Sequence, residues 1–243
     1  MKKLLLALLC VFALVGCGNT EEEEKSNAMS HAEYLAAEEG STVTIEAYIQ
    51  AKQGWWDNKA VLYLQDNDGG YFVYNLACTQ EQYDNELANG NLITVTGVKG
   101  SWADEIEILA DQAGAEATWE LVSTEKKIYA ATDVTSKLGS DSLVDYQNMF
   151  VSFKGLEVVA QADGTSPFYY KWDNSGKQGD DVYVTFSYNG KTLTACVESY
   201  LCGKNTDVYK ACEGLKVGDT VDIEGFLYWY EGAQPHLTSV VVK

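Results

Sequence analysis

Apolar and polar residues alternate along this chain in a series of short runs, each closed by a turn signal. The first, TVTIEAYIQAK from Thr42, sets Val43, Ile45, Ala47 and Ile49 on one face and polar side chains on the other, the period of a half-buried strand. Gln53 to Asn58 form a loop that carries Trp55 and Trp56. AVLYLQD from Ala60 and YFVYNLA from Tyr71 follow as strands joined at Asn67-Asp68-Gly69-Gly70. That is a strong hairpin signal, because Asn, Asp and Gly tolerate the backbone angles of tight turns. Cys78 to Ala88 is polar, short and mildly helical; NLITVTGVKG from Asn91 is a further strand, Trp102-Ala103-Asp104 a turn, and EIEILA from Glu105 the last strand of the unit.

The order then repeats. MFVSFKGLEVVAQ from Met149 predicts a strand, followed by a long polar loop containing Trp172 to Gly176. VYVTFSY from Val182 and KTLTACV from Lys191 meet at Asn189-Gly190, the strongest short hairpin signal. A helical or looped stretch from Glu198 to Gly214 leads to DTVDIEGFLYWY and then HLTSVVV. Gly97 and Gly225 fall at matching places inside strands, where glycine marks a bulge or a sharp bend in a closing barrel.

Five strands with a helical connection between the third and fourth is the layout of the OB-fold, a small Greek-key barrel. The expected fold class is all-β with minor helix: two tandem five-stranded OB-like barrels, the first over 28–125 and the second, with its linker, over 126–243. A single β-sandwich, or one barrel followed by a different β domain, are the competing architectures. The stretches AEYLAAEEGSTVTIEAYIQAKQGWW from Ala32 and DVTSKLGSDSLVDYQNMFVSFKG from Asp133 also resemble OB-like modules of uncharacterised lipoproteins from gut bacteria. That resemblance covers most of the chain after its first residues. It implies a fold and a location but little chemistry.

The N-terminal residues bear on location. Lys2 and Lys3 precede an apolar run from Leu4 to Val15, the pattern of a secretory signal over 1–16 and too short to span a bilayer comfortably. Leu14-Val15-Gly16-Cys17 resembles the bacterial lipobox, which implies cleavage before Cys17 and diacylation of its thiol. Two acyl chains give stable anchoring where one gives only marginal binding. Residues 17–27, with the acidic run Glu21 to Glu24, then read as an extended tether. The expected location is the extracytoplasmic face of a cell membrane, lipid-anchored at the cell surface, with the membrane as one partner.

Composition narrows the ligand. There are 17 Lys and Arg against 36 Asp and Glu, a formal net charge of −19. Binding to phosphate backbones depends on basic side chains, so this balance disfavours nucleic acid as a partner. It suits neutral sugars, cations or a basic partner. An oxidising setting permits disulfides, and Cys202 and Cys212, in the insertion peculiar to the second unit, are expected to pair. Cys78 and Cys196 occupy matching strand ends and read as small buried hydrophobes. No cysteine spacing fits a zinc site, and no cofactor is expected. Asp66-Asn67-Asp68-Gly69 resembles the opening of a calcium loop, but Ala77 stands where its closing Glu would be needed, and the hairpin turn explains the same residues.

OB barrels bind ligands on the face of strands two and three, between the loops joining strands one-two and four-five. Those loops hold Trp55, Trp56 and Trp102 in the first unit and Trp172, Trp229 and Tyr230 in the second. These six are the candidate ligand-binding residues, since flat aromatic faces suit sugar rings or bases. The competing role is capping the barrel ends, and adjacent Trp55 and Trp56 cannot both point the same way in an extended segment. The two histidines, His31 and His236, lie in no catalytic motif, so no enzyme activity and no catalytic residue is expected. The leading expectation is a non-catalytic binding module for carbohydrate or another neutral extracellular ligand. A structural lipoprotein recognising another envelope protein is the first alternative, and an extracellular nucleic-acid-binding OB protein the second.

Overall fold

The computed structural model describes residues 27–243. The signal segment, Cys17 and the acidic tether through Ser26 lie outside the described residues. A short helix α1 (His31–Ala36) comes first, its start fixed by a capping box in which the Ser30 hydroxyl accepts the Glu33 N–H and the Glu33 carboxylate accepts the Ser30 N–H.

The first barrel is built from β1 (Thr42–Lys52), β2 (Lys59–Gln65), β3 (Gly70–Ala77), β4 (Leu92–Trp102) and β5 (Glu105–Leu109), with α2 (Gln80–Asn85) between β3 and β4. The strands run in the order β1-β2-β3-β5-β4, and β4 pairs back onto β1 to close the sheet. The β3–β5 pairing is parallel, as the Greek-key path requires, and the other pairings are antiparallel. β6 (Thr118–Ser123) adds outside β4, where Trp119 packs against the barrel and its indole N–H donates to Ala77. The chain then runs along the first barrel, held by Gln50, whose side chain bonds the backbone of Lys127 and Tyr129.

The second barrel repeats this plan. A two-residue strand β7 (Thr132–Asp133) pairs with β8 (Phe150–Val158), and β9 (Phe168–Tyr170) pairs with β10 (Val182–Tyr188). β11 (Lys191–Val197), α3 (Asp207–Glu213), β12 (Thr220–Phe226) and β13 (His236–Val242) complete the order β8-β12-β13-β11-β10, closed by the β8–β10 pairing. The protein is therefore two closed five-stranded barrels in tandem, and the single-sandwich alternative is excluded by the two closing pairings. A register shift sits at Glu224/Gly225, and a Cβ on Gly225 would lie 2.2 Å from the His236 carbonyl oxygen. Glycine is required there so that β12 and β13 can approach.

Each barrel has its own core, drawn from the inward face of the alternating pattern: Val43, Ile45, Ile49 and Leu62 among others in the first, Val151, Phe153, Val184 and Ile223 in the second. A third apolar cluster belongs to neither interior. Ala51, Val61, Tyr63 and Phe72 of the first barrel meet Phe226 and Tyr228 of the second. Apart from Tyr228, which follows β12, these side chains sit on strands but outside the barrel cores, so the two barrels pack side against side.

The expected Cys202–Cys212 disulfide is not formed; Cys78, Cys196, Cys202 and Cys212 are all free thiols. Cys212 turns from α3 into the second core with no exposure, and Cys202 packs against that core from outside. Packing rather than a covalent bond holds the insertion. Burial pushes the thiol of Cys202 up to about 11 and that of Cys212 up to about 12, so both stay protonated near neutrality.

Candidate functional site

Polar contacts around the third cluster fix how one barrel sits on the other. The Gln65 side chain accepts the Phe150 N–H at 2.8 Å, and the Asn148 amide donates to the Ile106 carbonyl at 3.0 Å. The Gln147 amide donates to the Asp104 carbonyl at 2.9 Å, and the Glu231 N–H to the Ala103 carbonyl at 2.8 Å. Glu105, fully buried, accepts the Trp229 N–H at 2.7 Å and the Gln147 amide at 3.3 Å through one oxygen. Its other oxygen has no partner among the described residues, and neither has the side-chain oxygen of Asn148. Burial pushes the Glu105 carboxyl up to about 8, so it is protonated at neutral pH and brings its own O–H to this pocket.

Tyr63 and His236 join across the same boundary, hydroxyl to Nδ1, at 2.7 Å. Burial pulls the imidazole down to about 3, which leaves it neutral. Gln53 donates to the Tyr63 oxygen, so the Tyr63 O–H is free to donate to His236. The imidazole also stacks on Tyr228, with ring centroids 4.2 Å apart.

Beside this boundary runs a groove formed by two adjoining cavities of about 550 and 410 Å³, which share Trp102, Glu198, Tyr228 and His236 in their walls. The larger lies on the second barrel's β10–β11 face, where Tyr183 and Cys196 line it together with Trp172, Tyr230 and Gln234. The smaller extends it across β3 and β5 of the first barrel, over Phe72, Tyr74, Glu107 and Leu109. Trp102, at the β4–β5 turn of the first barrel, leans on Tyr230 in the β12–β13 loop of the second with centroids 5.2 Å apart. The turn makes this contact because Ala103 and Asp104 both take positive φ, which folds the chain back sharply, and the Ala103 carbonyl is tied to Glu231.

The six sequence-predicted aromatics divide. Trp102, Trp172 and Tyr230 come together on the groove while staying 57, 70 and 43% exposed. Trp55 packs against the first core and its indole N–H donates to Cys78, and Trp229 packs against the second core. Trp56 is exposed in the turn before β2 and lines neither cavity. Sequence reasoning missed Tyr228, His236, Gln234 and the carboxyls Glu107, Asp181 and Glu198. Asp181 accepts the Ser199 N–H, and Glu198 accepts the N–H groups of Tyr200 and Leu201. Burial, with Asp181 adding to it, pushes Glu198 up to about 7. Glu107 is pushed up to about 7 by burial, with Asp111 adding to it.

No family model matches the sequence, and no curated protein is similar to it at a significant level. Among solved structures, a murine DNA-binding protein bound with double-stranded DNA matches with 9% identity, 82% of this chain and 96% of that chain covered, and a TM-score of 0.38. The p204 HINb domain matches with 13% identity, 85% and 100% covered, and a TM-score of 0.35. The Ifi202 HINa domain in complex with 20-base-pair double-stranded DNA matches with 10% identity, 84% and 98% covered, and a TM-score of 0.33. The fold assignment rests on the strand order and closing pairings above. Two of these structures are described on double-stranded DNA, and the expectation that charge makes nucleic acid an unlikely partner is corrected on the ground on which it was made. A whole-chain charge sums over surfaces that never meet a ligand, so it cannot exclude one.

Proposed function

We propose that this chain is a secreted lipoprotein, held by lipid on Cys17 at the extracytoplasmic face of a cell membrane, whose paired barrels form a non-catalytic binding module for carbohydrate. One observation carries the binding reading. Exposed Trp102, Trp172 and Tyr230, drawn from both barrels and three different loops, converge on one groove floored by Tyr228 and His236. Large aromatics are costly in water, and a concave surface that gathers them beside polar groups is the usual form of a small-ligand site. Sugar rings present an apolar face to such side chains and a rim of hydroxyls to groups like Gln234, Glu198 and Asp181. A non-catalytic role is supported by His236, which is buried, neutral and engaged by Tyr63, and so is no general base near neutrality. The anchor is supported by the basic start, the apolar run and Leu14-Val15-Gly16-Cys17.

A glycan array and an oligonucleotide mobility-shift assay on the purified full-length protein test the reading. Glycan hits that disappear in Trp102→Ala, with an unchanged melting temperature, are the expected result. A duplex or single-strand shift with no glycan hit would sink the carbohydrate reading, and so would capture of one envelope protein with no glycan bound. Labelled palmitate on the wild type and none on Cys17→Ala is expected for the anchor.

A further inference from the structure

The groove has an asymmetry of charge. Three carboxyl groups line its two cavities, Asp181 and Glu198 from the second barrel and Glu107 from the first, and no Lys or Arg does. Asp181 and Glu198 are at least partly occupied, because backbone N–H groups bond them. Glu107 is different. It is 5% exposed, it lies in the wall of the smaller cavity, and its carboxyl makes no hydrogen bond and no ion pair among the described residues. The charge that acts on it is that of Asp111, of the same sign. A buried acid with no donor is costly unless something satisfies it. Here the open side is the groove itself, next to Trp102 and Tyr228.

Resting on the reading of the groove as a carbohydrate site, we infer that the sugar it takes is an amino sugar, whose free ammonium faces Glu107 while a ring face lies on Trp102. The ammonium supplies the donors Glu107 lacks, in a charge-assisted bond stronger than one from a hydroxyl. The surrounding aromatic faces favour a cation over a neutral group of the same size. The groove's own lining, three carboxyl groups with no Lys or Arg, suits such a ligand. In the free protein Glu107 titrates near 7, so capture of an ammonium below that pH ionises the carboxyl and releases its proton to the buffer.

The test is isothermal titration calorimetry on the full-length protein at about pH 6, where a glucosamine amine is largely protonated. The probes are a glucosamine hexamer and an N-acetylglucosamine hexamer. The expected result is binding of the amine oligomer at least about tenfold tighter than its acetylated counterpart. That preference should vanish in Glu107→Gln, an isosteric change that keeps the wall in place. Both ligands should be weakened by Trp102→Ala. In the wild type, the apparent heat for the amine oligomer should vary with the ionisation heat of the buffer, which reads the released proton independently of any variant. Equal affinity for the two oligomers, with no change in Glu107→Gln, overturns the amino-sugar inference. The groove reading then survives if Trp102→Ala still weakens binding. Binding of neither oligomer overturns the inference and counts against the carbohydrate reading as well.

Discussion

Glu105 offers the sharpest test of how the two barrels are joined. The carboxyl has no exposure, bonds Trp229 and Gln147 through one oxygen, and leaves its other oxygen without a partner among the described residues. Ionised, it would hold a charge out of water with an oxygen unsatisfied. A proton removes that charge and makes the free oxygen a donor. Glutamine places an N–H at the same position and keeps the oxygen that accepts from Trp229. Glu105→Gln is therefore expected to unfold within about 1 kcal/mol of the wild type at about pH 4, where the acid is largely protonated in both states, and to be the more stable of the two at neutral pH. Glu105→Ala strands the Trp229 N–H and removes buried methylene, and should cost roughly 2–4 kcal/mol.

The sign of the pH dependence separates this account from a buried ion. In the folded protein Glu105 titrates near 8 against an ordinary value of 4.5, so between those limits the native state holds a proton that the unfolded chain has released. Its contribution is fully present below the ordinary carboxyl range and is lost as pH rises through the folded value, at about 1.4 kcal/mol per pH unit. Glu107 and Glu198 act in the same direction in both proteins, so the informative quantity is the difference between wild type and Glu105→Gln. From about pH 5 to 8 that difference should move by roughly 3–4 kcal/mol in favour of the glutamine variant. Urea unfolding at several pH values, followed by tryptophan fluorescence, measures it. Parallel pH profiles for the two proteins, or a glutamine variant several kcal/mol weaker at neutral pH, would refute a protonated Glu105.

Two further expectations follow from the packing. A Cβ on Gly70 would lie 2.2 Å from the Asn148 carbonyl carbon, which is backbone and cannot swing aside, so Gly70→Ala should force the barrels apart. It should lower stability by about 1–3 kcal/mol and abolish ligand binding in the groove while each barrel keeps its strand signal in circular dichroism. Thiol titration at about pH 8 should leave Cys196 and Cys212 unmodified in the native protein, with all four described cysteines reacting in denaturant. Rapid native labelling of Cys212, or no free thiol at Cys202 and Cys212 after purification, would contradict the packing described.

The strands were legible because period-two alternation marks which side of a strand faces a barrel interior. From Thr42 to Ile49 the strand alternates cleanly, with Val43, Ile45, Ala47 and Ile49 buried as expected, and the pattern breaks only where Gln50 and Ala51 are buried as well. The same alternation gives no sign of what happens at β5. In Glu105-Ile106-Glu107-Ile108 the isoleucines point one way and the glutamates the other, so a barrel considered alone puts the glutamates in water. The second barrel covers that outer face and buries them. A trace of this was present in AVLYLQ and YFVY, which are apolar on both faces as strands covered on both sides tend to be. The six loop aromatics could not be sorted from sequence, because Trp55 and Trp102 occupy similar loop contexts, yet Trp55 turns onto its own barrel's core while Trp102 stays out and meets Tyr230 of the other barrel. The Cys202–Cys212 pairing failed for a related reason: nearness in sequence says nothing about a side chain already committed to a core.

Tandem packing also changes what an OB face can do. The β10–β11 surface of the second barrel is a shallow floor between two loops, and by itself leaves a ligand open to solvent on one side. Trp102 and the β3–β5 edge of the first barrel supply the missing wall, with Glu107 set into it. The wall's position is set less by the apolar cluster, which tolerates sliding, than by directional bonds from Gln65, Glu105, Gln147 and Asn148, each of which has one geometry that satisfies it. The proposed binding in the groove would then be coupled to inter-barrel stability through the same residues. A ligand that bridges the two walls stabilises the barrel pair, and a substitution that loosens the pair weakens the ligand without touching it.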